Sequence, residues 1–273
     1  MFLPGVVRNT SGSELKSFLY DSLPRFAWEK TEVNGLNEQA QEKIQVEVWG
    51  DFACFSQPFA KVERMTYPFP TPSAARGILS AIYCKPLEFY WQINRIEVLN
   101  PIRYISFRRN EVKSTISGRN PIYTDDERTQ RQTVALRDVR YRFTATIVPR
   151  VCTAGAKGRK FDVKALCEQA RRRIRGGKAF FQPGLGLREF TAYFEEPSNR
   201  KPIPDTRDKV LMVYDVFDFP RDVEVSAKTT PKLSLYYARM DHGVILVPPY
   251  DSPEVLKIDG IPQEEVDYAP STV

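Results

Sequence analysis

The spacing of apolar and polar positions between residues 68 and 86 predicts a short amphipathic helix. Four apolar side chains recur on one helical face: Ala75, Ile78, Leu79 and Ile82. Thr71-Pro72-Ser73 suits a helix start, because a hydroxyl can cap a free backbone N–H and proline has no N–H to leave unpaired. Arg76 and Tyr83 lie seven residues apart and share another face. A cation and a phenol there can hold a phosphate and a hydroxyl, although a core helix with a half-buried tyrosine is the plainer interpretation.

A second amphipathic helix is predicted over residues 162–175. Its apolar positions are Val163, Leu166, Cys167, Ala170 and Ile174. The opposite face is polar and mostly basic, and Gly176-Gly177 provides a stop. That face carries Lys164, Glu168, Arg171 and Arg175.

Alternating apolar residues predict strands along the rest of the chain, and residues 52–67 read as a loop or extended arm. The predicted strands cover residues 44–49, 89–98, 103–107, 139–148, 187–194, 210–217 and 233–239. Up to residue 194 the order is strand, helix, strand, strand, helix, strand, which is typical of the ferredoxin-like arrangement used by many RNA-binding proteins. We therefore expect an α+β fold built on a ferredoxin-like (RRM/RAMP) domain. The later strands suggest a second, smaller antiparallel sheet.

Residues 108–133 are polar and basic, with turn residues at 117–121, which predicts a protruding β-hairpin. We divide the chain into four parts. These are an N-terminal extension (1–42), the ferredoxin-like domain (43–200), a C-terminal β region (201–250) and an acidic tail (251–273).

Composition narrows the class of protein. The chain has 273 residues, of which 42% are hydrophobic and 27% charged, as in ordinary globular proteins. We find no secretory signal and no apolar run approaching the roughly 20 residues that a membrane span needs, so no membrane partner is expected. Cys54, Cys84, Cys152 and Cys167 show no paired spacing, which favours buried thiols in a cytoplasmic protein.

The net charge of +6 is the sum of an acidic C-terminal tail and a more basic remainder of the chain. The last 23 residues carry six acids and one lysine, so the other 250 residues carry +11. Residues 103–150 hold eleven Arg or Lys against five acids, and residues 157–178 hold nine against two. Aromatic residues are interleaved in the first of these stretches. Basic side chains neutralise phosphates and flat rings stack on unpaired bases, so single-stranded nucleic acid is one interpretation and a solvated basic surface is the other.

The candidate chemistry is limited by a single histidine, His242. A Ser-His-Asp or two-histidine mechanism needs a histidine beside the reacting groups, and neither is supported. Neither metal-ligand spacing nor a phosphate-binding glycine loop is found, so we expect no metal and no cofactor. RNA cleavage remains possible, because a 2′-hydroxyl can attack its own 3′ phosphate if the strand is held in line.

Four segments in a fixed order resemble the RNA-processing subunits of type I-C CRISPR surveillance complexes, which belong to the RAMP group of RNA-binding proteins. The segments are residues 46–86, 93–112, 128–147 and 184–194. From residue 210 to 248 the resemblance rests on strand pattern alone.

The resemblance implies two catalytic residues. The catalytic tyrosine of the family matches Tyr83 in Ile82-Tyr83-Cys84-Lys85-Pro86, and its catalytic lysine matches Lys164. Some members follow that lysine with histidine, where this chain has Ala165. Water or Tyr83 would then have to protonate the leaving 5′-oxygen. The candidate RNA-binding residues are Arg76, Lys85, Arg108, Arg109, Lys113, Arg128, Arg131, Arg140, Arg171 and Arg175.

The function that the resemblance implies is cleavage of CRISPR precursor RNA within the repeat, followed by retention of the 5′ handle. Its implied partners are this RNA, the backbone and large subunits of the surveillance complex, and target DNA indirectly. The predicted hairpin is our candidate for reaching the neighbouring backbone subunit or the guide. Ala165 keeps a second hypothesis open, a non-catalytic scaffold that binds the handle. A basic protein of unrelated function is the third.

Overall fold

The structure is a computed structural model that describes residues 42–60, 63–86, 88–114, 123–149, 162–216 and 233–258. These residues lie in one compact unit, Ala40–Val273. The N-terminal extension except for Glu42, the predicted turn at 117–121, Cys152 and most of the acidic tail lie outside the described residues. In the described part of the chain, no helix is long and apolar enough to cross a membrane.

The described residues are mostly β, with few helices, which agrees in outline with the α+β prediction. The strands are β1 (Lys43–Ala53), β2 (Arg64–Met65), β3 (Phe89–Val98), β4 (Tyr104–Val112), β5 (Arg128–Pro149), β6 (Tyr193–Glu195), β7 (Arg207–Asp215), β8 (Ser234–Asp241), β9 (Val244–Leu246) and β10 (Leu256–Lys257). The helices are α1 (Pro72–Ile82), α2 (Thr124–Glu127) and α3 (Val163–Arg175).

One sheet contains all ten of these strands, in the order β10-β8-β9-β3-β5-β1-β6. The 22-residue strand β5 organises it: its first half pairs with β4, and its second half lies between β1 and β3. β7 pairs with β8, and β2 joins β5 as the one parallel pair among the described strands. The main core lies where the apolar faces of α1 and α3 cover the buried side of β1, β3 and β5.

Both long helices begin as their sequences predict. The Thr71 hydroxyl accepts a hydrogen bond from the Ala74 N–H at 3.1 Å, and Pro72 occupies the first turn of α1. The Asp162 carboxylate accepts from the Lys164 N–H at 3.0 Å at the start of α3. The four apolar residues predicted to face the core from α1 are all buried.

Two strand predictions were wrong. Residues 187–194 do not form a continuous strand; only Tyr193–Glu195 does, after a tight turn in which Gly184 faces Thr191. Gly186 in that turn has φ +85°, and a Cβ there would lie 2.0 Å from the Cys54 carbonyl oxygen. The backbone here approaches Cys54, the residue directly after β1, too closely for any residue but glycine.

The second wrong prediction is the separate C-terminal sheet. Strands β7 to β10 are antiparallel, as expected, but β9 pairs with β3, so they continue the main sheet. Other differences are in length: β1 runs four residues beyond the predicted end at 49, and β5 begins at Arg128 instead of residue 139.

Candidate functional site

Tyr83 follows directly after α1 and is fixed by hydrogen bonds of its backbone and by packing of its ring. Its N–H donates to the Leu79 carbonyl at 2.8 Å, and its own carbonyl accepts from the Trp91 indole at 2.8 Å. The ring packs against Phe89, with the centroids 5.5 Å apart, and the residue is 4% exposed. The plain interpretation of this position as a packed tyrosine is therefore correct for the ring, and only its polar end remains for chemistry.

Lys85 and Glu88 surround that polar end. The Lys85 ammonium donates to both carboxylate oxygens of Glu88, at 2.9 and 3.1 Å, and its positive charge lies near enough to the Tyr83 hydroxyl to offset part of the rise that burial causes in the pKa of that phenol. The Lys85 side chain is 45% exposed, so this cluster opens to solvent. The structure thus brings together two of the predicted residues, Tyr83 and Lys85.

The environment keeps the phenol protonated. Burial raises the pKa of Tyr83 above its ordinary value; the positive charge of Lys85 opposes this, Glu88 adds to it and Arg173 opposes it. The hydrogen bond to Glu88 raises the pKa of Lys85, which therefore stays cationic. Tyr83 is suited to donating a hydrogen bond or a proton, and poorly suited to acting as a base at neutral pH.

Arg173, which sequence reasoning missed as a site residue, reaches this region from α3. Its Nε donates to the Ile82 carbonyl at 2.5 Å, and its guanidinium lies over the Phe180 ring, 4.1 Å from the centroid. The sequence shows Arg173 only as one member of a basic run. Which member would turn towards α1 depends on how the two helices pack, and no local signal reveals it.

Lys164 occupies the first turn of α3 and is exposed. No ion pair or hydrogen bond of its side chain is found among the described residues, and none joins it to Tyr83. Arg173, which contacts the end of α1, is nine residues further along the helix, or roughly 13 Å at the usual rise. The structure therefore does not bring the two predicted catalytic residues into contact.

Arg76 forms an ion pair with Asp215 of β7. Its Nε and Nη2 donate to the two carboxylate oxygens of Asp215 at 2.8 and 3.2 Å, and both side chains are largely buried. The bond fixes α1 to β7. The contact of Arg76 with RNA stays a prediction.

The other predicted cations of the central sheet and α3 also have acidic partners. Arg140 pairs with Glu47 and Glu195 and lies over the Trp49 ring, with 14% of its side chain exposed. Arg171 pairs with Glu42, and Arg175 pairs with Glu196 at 3.1 Å. Of these three arginines, Arg175 is the most available to a ligand, because 71% of its side chain is exposed.

The paired strands β4 and β5 carry the remaining candidates. Arg109 and Arg131 lie opposite each other across the pair and share the carboxylate of Glu111. Arg108, Lys113 and Arg128 are exposed and belong to no ion pair in the part of the chain that the structure describes.

An open groove of about 1050 Å³ runs beside α1. One wall is the small-residue face of the helix, with Ser73, Gly77 and Ser80, and the other is the turn at residues 181–188. Phe181 borders the groove and is 63% exposed. The groove ends one turn before Tyr83. Among the described residues, no cluster of His, Cys, Asp and Glu is arranged to hold a metal ion.

Known proteins match most of this chain. The family model described as CRISPR-associated protein (Cas_Cas5) matches residues 43–248. A protein of Mannheimia succiniciproducens named CRISPR pre-crRNA endoribonuclease Cas5d is 38% identical over 234 residues, covering 78% of this chain and 98% of the relative. A protein of the same name from Thermus thermophilus is 35% identical over 232 residues, covering 80% of this chain and 96% of the relative.

Two solved structures share the fold. SMU1763c from Streptococcus mutans, described as functionally uncharacterized, superposes with a TM-score of 0.56 at 21% identity and covers 79% of this chain and 97% of its own. A crystal structure of a CRISPR-associated protein gives the same TM-score and identity and covers 79% and 96%.

Proposed function

The chain belongs to the Cas5d family of CRISPR-associated proteins, and from that membership we propose that it is a metal-independent endoribonuclease that cleaves CRISPR precursor RNA within the repeat. One observation carries the proposal: two relatives named for this activity align with the chain over nearly their whole lengths. The 2′-hydroxyl beside the cut loses its proton to water and attacks the adjacent phosphate. The bond from phosphorus to the 5′-oxygen breaks and that oxygen gains a proton, so the products are a 2′,3′-cyclic phosphate and a 5′-hydroxyl.

We interpret the centre of the sheet as a ferredoxin-like core. Its four strands lie in the order β3-β5-β1-β6, with α1 following β1 and α3 following β5. The β4–β5 pair corresponds to the expected hairpin. In this arrangement the two helices that carry Tyr83 and Lys164 cover the same face of the sheet.

The groove beside α1 suits a single strand of RNA leading to Tyr83. Gly77 leaves open space on the helix, and the exposed ring of Phe181 can stack on an unpaired base. At the end of the groove, the protonated Tyr83 donates to a reacting or leaving oxygen, which is the role that Ala165 leaves open. Lys85 adds a cation beside it.

Lys164 stabilises the negative charge that grows on the phosphorane. Its exposed position on the first turn of α3 is open to the RNA. The distance along α3 means that the strand must pass over this helix to reach both groups.

After cleavage we propose that the protein keeps the 5′ handle and occupies one end of a type I-C surveillance complex, touching its backbone and large subunits and, through them, target DNA. Arg108, Lys113 and Arg128 on the β4–β5 pair are free to reach a neighbouring subunit or the guide. An alternative function, a handle-binding scaffold without cleavage, is favoured by one observation, the alanine at position 165.

Repeat RNA incubated with the protein and excess chelator tests the proposal. The expected result is a single cut with a cyclic phosphate on the upstream product. RNA with a 2′-deoxy residue at the cut site should remain intact. Tight binding with no cleavage by the wild-type protein supports the scaffold instead.

A further inference from the structure

The peptide group between Ile82 and Tyr83 is bound at both ends. Its N–H donates to the Leu79 carbonyl at 2.8 Å, within the last turn of α1. Its carbonyl accepts from Arg173 at 2.5 Å. The last carbonyls of a helix have no partner within the helix, so Arg173 supplies the one that α1 cannot. A cation at this end of a helix is also favourable electrostatically.

The guanidinium of Arg173 is itself held in place by Phe180. The ring lies 4.1 Å from the guanidinium carbon, and the Phe180 N–H donates to the Ala81 carbonyl at 2.7 Å. Arg173, Phe180 and the end of α1 therefore form one closed set of contacts. Arg172 differs: it is exposed, and its guanidinium binds Gln169 of its own helix.

We propose that Arg173 is a positioning residue for RNA cleavage, which fixes the direction of the Tyr83 phenol by holding the peptide that precedes it. Rotation of this peptide would move the Cα of Tyr83 and change the direction of its side chain. Trp91 holds the following carbonyl, so Arg173 and Trp91 fix the two peptides on either side of Tyr83. The inference rests on the proposed cleavage activity.

The consequence concerns the reaction rate more than RNA affinity. Small errors in the placement of a reacting group can slow a reaction by about a hundredfold. Affinity is spread over many basic residues, and the Arg173 guanidinium is committed to Ile82 and Phe180. Loss of Arg173 should leave the RNA bound next to a poorly directed phenol.

The test compares Arg173→Gln and Arg173→Lys with the matched control Arg172→Gln. Single-turnover cleavage of repeat RNA is measured in chelator, and the dissociation constant is measured on 2′-deoxy RNA at two salt concentrations. A readout that needs no RNA is acrylamide quenching of Trp91 in a Trp28→Phe, Trp49→Phe background. Trp91 is 3% exposed and binds the Tyr83 carbonyl, so its access to acrylamide reports on the peptide after Tyr83, which is displaced if the preceding peptide rotates.

We expect Arg173→Gln to slow cleavage by about ten- to a hundredfold with an unchanged dissociation constant and salt dependence. Arg173→Lys, which keeps a cationic donor, should recover most of the rate, and Arg172→Gln should match the wild type. Quenching should increase in Arg173→Gln only.

Two results would overturn the inference. One is an Arg173→Gln protein that cuts as fast as Arg172→Gln, and the other is one that loses affinity and salt dependence in proportion to its rate, as a phosphate contact would. If the wild type does not cleave, the proposed function fails, and quenching alone decides the role of Arg173: equal quenching in the two glutamine variants counts against it.

Discussion

The two ends of α3 differ in how completely the protein organises them. At the C-terminal end, Arg173 is bonded to Ile82 and covered by Phe180, and the adjacent Tyr83 is packed and bonded through its backbone. At the N-terminal end, Lys164 is exposed, and only its backbone N–H is bonded, to Asp162. One candidate group is fixed before RNA arrives, and the other is left for the RNA to order.

The difference fits the two proposed roles. A hydrogen-bond donor to a single oxygen must point correctly, and packing achieves this at no further cost when the substrate binds. A lysine that neutralises phosphate charge acts at longer range and tolerates more freedom, because an ammonium has no preferred plane. Variants at the two ends should therefore differ in what they change.

Tyr83→Phe should give the largest effect, because it removes the donor and preserves the packed ring. We expect single-turnover cleavage to fall by about a thousandfold, within the usual range for loss of a general acid. Stability and RNA affinity should change little. Tyr193→Phe, which alters a 54%-exposed tyrosine on β6, is the matched control and should cleave normally. Equal rates for the two variants would remove Tyr83 from the mechanism.

The pH dependence of cleavage examines the same group. Burial raises the pKa of Tyr83 above its ordinary value. The phenol therefore stays protonated at every pH below that ordinary pKa, and it loses its proton only when the pH exceeds the raised pKa. The rate should not decline between neutral pH and about pH 10. An alkaline decline with a midpoint below about 9 would show that a group more acidic than a tyrosine phenol controls the reaction.

Lys164→Ala should slow cleavage by about a hundredfold, or about 3 kcal/mol, because its contribution grows with the charge of the transition state. Melting temperature should be unchanged, since the side chain is exposed and holds no described partner. Single-turnover rates and dissociation constants of this variant and of Arg171→Ala provide the measurement. If Lys164→Ala cuts at the wild-type rate while Arg171→Ala does not, the catalytic lysine has been assigned to the wrong residue of α3.

The sequence was a good guide to what depends on local pattern and a poor one to what depends on packing. The capped start of α1, the glycine stop of α3, the apolar faces of both helices and the position of Tyr83 follow from neighbouring residues, and the structure has them where they were expected. The Arg76–Asp215 pair joins residues 139 positions apart, and Arg173 meets Ile82 across 91. A basic residue looks the same in a sequence whether it faces RNA or a distant carboxylate, and for this reason Arg76 and Arg140 were not recognised as ion-paired.

The turn at residues 184–192 shows the same limit for the backbone. Its residues alternate well enough to predict a strand, but Gly186 is needed because the carbonyl oxygen of Cys54, directly after β1, lies 2.0 Å from where a Cβ would be. A strand prediction that uses only neighbouring residues cannot include this contact, because Cys54 is distant in the sequence.

Trp91→Phe should have an intermediate effect on the cleavage rate, through Tyr83 near the C-terminal end of α3. The change removes the indole donor and leaves the buried Tyr83 carbonyl unpaired, which we expect to cost about 2 kcal/mol of folding free energy. Cleavage should slow by about tenfold, with RNA affinity unchanged, since the phenol loses one of its supports. Chemical denaturation and single-turnover rates measure the two effects. Trp49→Phe is the control, because the ring contacts described for Trp49 are with Tyr193 and Arg140.

A destabilised Trp91→Phe protein that cleaves at the wild-type rate would separate the packing of Tyr83 from its function. The comparison between the two ends of α3 would then lose its catalytic meaning and describe stability alone.

Arg175→Ala should give the smallest effect and tests whether RNA passes over the exposed face of α3. An exposed ion pair such as Arg175–Glu196 contributes at most about 1 kcal/mol, so stability should hardly change. Loss of one phosphate contact should weaken RNA binding by about two- to threefold and reduce the slope of log affinity against log salt by about 0.7. Glu196→Gln releases the same arginine and should act in the opposite direction, with slightly tighter binding. If both variants bind as the wild type does at every salt concentration, the RNA does not contact the last turn of α3.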